Sequence, residues 1–121
     1  MKLSEVKKIL DTEVLCCEEL LDKEIQYACS ADLMSDVLAF AREDSLLLTG
    51  LTNPQVIRTA EMIDAVAIVF VRGKKPTPDV IELAIKNKLP LLSTPHLMYE
   101  TCCLLYVNGL SGHLEKKIRS L

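Results

Sequence analysis

The chain alternates short apolar runs with segments whose apolar residues recur every three or four positions. Leu3, Val6, Ile9 and Leu10 share one side of a short helix. Glu13 to Cys16 has strand length, and the charged stretch Glu18 to Glu24 reads as a loop or turn. Ile25 to Cys29 predicts a strand. Ser30-Ala31-Asp32 then opens a helix that carries Leu33, Met34, Val37, Leu38 and Ala41. Ser45 to Leu48 is a buried strand, and Pro54 to Asp64 a helix with Val56, Ile57, Ala60 and Ile63 inward. Ala65 to Val71, apolar and rich in β-branched residues, is the strongest strand signal. Pro78 to Lys88 predicts a helix with Val80, Ile81, Ala84 and Ile85 inward, and Lys86 and Lys88 suit its C-terminal dipole. Pro90 to Ser93 is a short strand. Pro95 to Asn108 is the last long helix, with Gly109 as its stop.

Three of these strands end alike. Thr49-Gly50-Leu51-Thr52-Asn53-Pro54, Thr77-Pro78 and Ser93-Thr94-Pro95 each place a Thr, Ser or Asn before a proline. Proline suits the first helical position and the hydroxyl or amide before it can cap the helix. Strands joined by crossovers of a dozen residues or more imply βαβ units and a parallel sheet. The expected fold is α/β: one domain over residues 1–121, with a mainly parallel sheet of four or five strands and helices on both faces. Its core spans about residues 13–110. Leu110, Leu114, Ile118 and Leu121 extend an apolar stripe into residues 111–121, flanked by Lys116, Lys117 and Arg119. That tail reads as a docked terminal helix or a subunit contact; it is short and lacks the aromatic residues of a membrane-surface helix.

Composition narrows the partners. Half the residues are hydrophobic but only 4% are aromatic, so the core is aliphatic. The formal net charge of −3, without a basic stripe, argues against nucleic acid. No apolar run approaches the roughly 20 residues of a membrane helix. The N-terminus enters charged, helix-period sequence at once, so no signal peptide is expected. Cys16, Cys17, Cys29, Cys102 and Cys103 are odd in number and include two adjacent pairs. They make a poor disulfide framework, and a reducing cytoplasm is the expected location. They also lack metal-ligand spacing, so no metal or cofactor is expected.

In a parallel sheet the three strand ends share one edge, where open α/β sheets bind ligands. Thr49, Gly50, Thr52 and Asn53 leave the first strand there, Arg72 the second, and Ser93, Thr94 and His96 the third. Asp32 and Asp36 start a helix at the same edge. Hydroxyls, helix N-termini and a cation form a rim suited to phosphate or carboxylate. No G-x-G-x-x-G or G-x-x-x-x-G-K-[ST] occurs, and no nucleophile has a base near it in sequence. No catalytic residue is therefore assigned.

With Leu48-Thr49-Gly50, Asp36 upstream, and Pro90-Leu91-Leu92-Ser93-Thr94 and Tyr99-Glu100-Thr101 downstream, the chain resembles a DRTGG domain from about Glu13 to Leu110. It is also similar to the N-terminal domain of the bacterial HPr kinase/phosphorylase, without that enzyme's kinase half. It looks like a stand-alone member of the kind found in anaerobic bacteria. The family's Thr-Gly falls on Thr49-Gly50, and its second glycine is Leu51 here. Leu33-Met34 stand where its Asp-Arg pair is expected, and Asp36 matches a second family acid. The resemblance implies a non-catalytic regulatory or interaction module, often at a dimer interface, with no catalytic residues to transfer. The expectation is a homodimer that binds a small anionic ligand or nucleotide, or a protein partner. The alternatives are a small phosphoryl- or acyl-transfer enzyme working at the rim, and a cysteine-based redox or metal accessory protein.

Overall fold

A computed structural model describes residues 1–113. The stripe at Leu114, Ile118 and Leu121 lies outside the described residues. The order of elements is α1 (Leu3–Leu10), β1 (Glu13–Cys16), a 3-10 turn (Glu18–Leu20), β2 (Tyr27–Ser30), α2 (Met34–Phe40), β3 (Ser45–Thr49), α3 (Pro54–Met62), β4 (Ala67–Phe70), α4 (Pro78–Lys86), β5 (Leu91–Ser93) and α5 (Met98–Val107).

The five strands form one sheet in the order β1-β5-β4-β3-β2. The strands β2 to β5 are mutually parallel, and β1 joins β5 antiparallel. Each parallel strand lies beside the one before it, so right-handed crossovers carry α2, α3 and α4 to the same face. There Met34, Val37, Val56, Ile57, Ala60, Val80 and Ala84 pack on Leu47, Ile68, Phe70 and Leu91. On the other face Leu3, Val6 and Leu10 of α1 and Leu105 of α5 pack on Leu46, Leu48, Ala67, Val69 and Leu92. Both faces of β3 and β4 are therefore covered, and every residue of both strands is buried. That two-sided burial is why these strands read as unbroken apolar runs rather than alternating ones.

The helix starts follow the sequence in part. Asn53 caps α3, its Oδ1 accepting the Val56 N–H at 3.3 Å, with Pro54 at the first helical position. Thr77 has the backbone of a cap before Pro78, but its hydroxyl donates to the Asp79 carboxylate instead. The third unit departs from expectation: α5 starts at Met98, not Pro95, and Thr94 caps nothing. Its hydroxyl is buried and donates to the Leu10 carbonyl at 2.6 Å, tying β5 to the end of α1. The α2 helix begins at Met34 because the Asp32 carboxylate, the expected cap, is engaged across the sheet edge. Strand β2 starts two residues later than expected, since Ile25 N–H pairs with the Met1 carbonyl at 2.7 Å and Lys2 bridges Glu24. Gly109 does stop α5, with φ of 103°.

Candidate functional site

Thr49 and Gly50 end β3 at the edge formed by the C-terminal ends of the parallel strands. The Thr49 hydroxyl donates to Asp32 Oδ1 at 2.9 Å, and the Gly50 N–H donates to the same oxygen at 2.8 Å. The Thr49 oxygen in turn accepts the Leu51 N–H at 3.2 Å. One carboxylate from the loop after β2 thus holds the turn after β3. Hydrogen bonds to a charged acceptor are among the stronger ones, so this node orders the edge.

Gly50 is not in a left-handed turn; its missing β-carbon leaves the place where the end of the Arg72 side chain lies. A β-carbon there would stand 2.6 Å from a guanidinium nitrogen of Arg72 and 3.5 Å from its central carbon. The room expected for a ligand is taken by the arginine. Arg72 itself is exposed and follows β4.

Ser93, Thr94 and His96 form a second group. The helix following β4 covers one face of the sheet and the helix following β5 covers the other. Such a reversal opens a crevice in α/β sheets. Here the two loops close it: Arg72 N–H donates to the His96 carbonyl and Gly73 N–H to the Thr94 carbonyl, each at 2.8 Å. The Ser93 hydroxyl adds a bond to the Lys74 carbonyl at 2.8 Å. Thr49 and Ser93 pair with Phe70 from opposite sides, which sets them two strand spacings apart, about 10 Å. Thr52 is half-buried and Asn53 is the α3 cap. Asp36 sits exposed in the first turn of α2 and makes no hydrogen bond to Thr49 or Gly50. Of the ten expected residues the structure brings together Asp32, Thr49, Gly50 and Arg72, with the His96 backbone joined to Arg72.

A region that sequence reasoning passed over is the outer side of α5. Tyr99 and Val107 are each 76% exposed, Leu97 56%, and Cys103 lies between them. Tyr99, Cys102, Cys103, Tyr106 and Val107 line a shallow groove of about 330 Å³. A signal was available: Met98 to Val107 holds one charged residue, Glu100, and has apolar residues on all sides.

The chain matches the DRTGG domain over residues 5–106. It belongs to the DRTGG domain family. Among curated proteins nothing matches it. Among solved structures it is similar to the CBS and DRTGG domains of the regulatory region of Clostridium perfringens pyrophosphatase, complexed with the activator diadenosine tetraphosphate. That likeness has a TM-score of 0.68 at 20% identity, covers 86% of this chain and spans 45% of that one. It establishes the DRTGG fold, a small α/β domain.

Three of the five cysteines of this DRTGG domain are held protonated by burial. Burial, and then the adjacent Cys17, push the Cys16 thiol up to about 12. Burial also raises Cys17 and Cys29. Thiols shifted upward carry little thiolate near neutral pH and are poor nucleophiles. Among the described residues no group of three or more His, Cys, Asp or Glu could hold a metal ion. No described helix is long and apolar enough to cross a membrane.

Proposed function

We propose that this DRTGG domain is a non-catalytic regulatory module that homodimerises through the outer face of α5 and takes a small anionic metabolite at the rim. The observation that carries the reading is the apolar side of α5 left exposed around Tyr99, Cys103 and Val107. Contiguous apolar surface on a small domain marks an interaction site. A two-fold contact sets a patch against its own copy, and the groove lining carries no charge, with Glu100 at its border. The polar groups at the rim hold one another rather than facing a nucleophile: the Thr49 hydroxyl is committed to Asp32 and the Thr94 hydroxyl to Leu10. This supports recognition rather than reaction. The anion half of the reading draws on Arg72 and on the nucleotide activator of the similar pyrophosphatase regulatory region. The likeness to the N-terminal domain of HPr kinase/phosphorylase rests on sequence motifs, and no kinase activity is attached to it. Five free thiols favour a reducing compartment such as the cytoplasm.

Sedimentation equilibrium across a dilution series tests the association; a species of one chain at every micromolar concentration contradicts it. A melting-temperature screen over nucleotides, acyl phosphates and carboxylates tests recognition. A specific ligand raises the melting temperature in step with its concentration. No response to any anion leaves an interaction module alone.

A further inference from the structure

The turn after β4 is unusual in one residue. Arg72 and Gly73 both have left-handed backbones, with φ of 61° and 65°, and Lys74 N–H closes the turn on the Val71 carbonyl at 3.2 Å. Glycine adopts this conformation freely, whereas a residue with a β-carbon is strained in it. Of the other five non-glycine residues with positive φ, Asp11, Asp64 and Lys88 lie at helix C-termini, where a left-handed residue is the usual stop, Asp44 precedes β3 and Cys17 follows β1. Arg72 follows β4, and the bonds from Arg72 and Gly73 to the loop after β5 hold its conformation. Strain held in place by surrounding structure points to a role for the side chain it aims.

That side chain turns back across the neighbouring strand end and lies on Gly50, where a missing β-carbon admits it. Arg72 is exposed. Among the described residues the ion pairs are Met1 with Glu24 and Lys75 with Glu13, so no carboxylate lies within 4.0 Å of Arg72. Asp32, the nearby acid, spends Oδ1 on Thr49 and Gly50.

We propose that Arg72, seated on Gly50, is the recognition residue of the rim and that its ligand is a phosphoryl group. The proposal rests on the reading of the rim as an anion site. A guanidinium fork matches two oxygens of one phosphoryl group. Asp32 beside Gly50 offsets part of the field, so a singly charged carboxylate gains little. A phosphoryl group with more than one negative charge is still drawn in.

The test uses pyrophosphate as probe and acetate as its singly charged comparator, with binding read by calorimetry and folding by melting temperature. Wild type binds pyrophosphate and not acetate. Arg72→Gly loses about tenfold or more in affinity, while its melting temperature stays equal or rises because the left-handed strain is gone. Arg72→Lys keeps the charge, loses the fork and falls between. Gly50→Ala displaces the guanidinium and weakens binding in a folded protein. Equal affinity in wild type and Arg72→Gly overturns the role of Arg72 but leaves the anion site standing. A wild type that ignores pyrophosphate overturns both. Equal acetate binding overturns the phosphoryl assignment. A clear drop in the melting temperature of Arg72→Gly makes the arginine a packing residue instead.

Discussion

The rim and the outer face of α5 are opposite cases of satisfaction. At the rim several polar groups that looked free in the sequence have an internal partner. Asp32 accepts from Thr49 and Gly50, Thr94 donates to Leu10, and Ser93 donates to Lys74. On α5 the apolar groups of one side have the sheet, and those of the other side have water. Leu105 is 1% exposed while Val107, two residues on, is 76% exposed. Polar residue types at a sheet edge thus overstated the room for a ligand, and an apolar helix that looked like core carries the surface still to be covered.

The largest effect expected from this contrast lies within α5. Leu105→Ala leaves a cavity against the sheet and destabilises by about 2–5 kcal/mol. Val107→Ala changes the stability of a single subunit by no more than about 0.5 kcal/mol. Urea unfolding at submicromolar protein compares them; equal losses erase the difference between the two sides of the helix.

At the rim the expected effects are smaller. Asp32→Ala strands the Thr49 hydroxyl and the Gly50 N–H, a loss of about 1–3 kcal/mol. Asp32→Asn keeps an acceptor there and loses less. If alanine is neutral by chemical denaturation, the node does not order the edge.

Thiol chemistry sharpens the contrast further. Near pH 8, at submicromolar protein where the chains are single, an alkylating reagent modifies exposed Cys103 and leaves Cys16 untouched until unfolding; pairing at higher concentration slows the labelling of Cys103. The Cys16 thiol sits at about 12 against 9.0 when unperturbed. Its folded state holds the proton more tightly, so this contribution to stability is complete below pH 9 and is lost as the pH rises toward 12. Mass spectrometry of labelled peptides and alkaline unfolding curves check both statements.

The smallest effect concerns the start of α4. The Thr77 hydroxyl holds the exposed Asp79 carboxylate below its ordinary value. A lowered carboxylate stabilises above its unfolded value, and the gain disappears as the pH falls through the lowered one. Thr77→Ala therefore lowers the melting temperature slightly at neutral pH and not in strong acid.

Much of the architecture was legible because two-sided burial and proline write directly into the sequence. Ala65 to Val71 could be little but a central strand, and Asn53-Pro54 fixed the start of α3. Asp32 and Thr94 misled for one physical reason. Each could cap a helix after it, and each commits to a residue distant in sequence, Asp32 to Thr49 and Thr94 to Leu10, although Thr94 also accepts the His96 N–H. Such choices are decided by packing across the sheet, which local pattern does not encode. The Arg72 seat on Gly50 was hidden likewise, because it depends on strand register rather than spacing.

The association of two chains through α5 is tested most directly by light scattering on wild type and Val107→Glu at the same micromolar concentration. The account predicts the mass of two 13.5 kDa chains for wild type, with a single, still folded chain for the variant. A wild type of one chain, or a variant that stays paired, contradicts it.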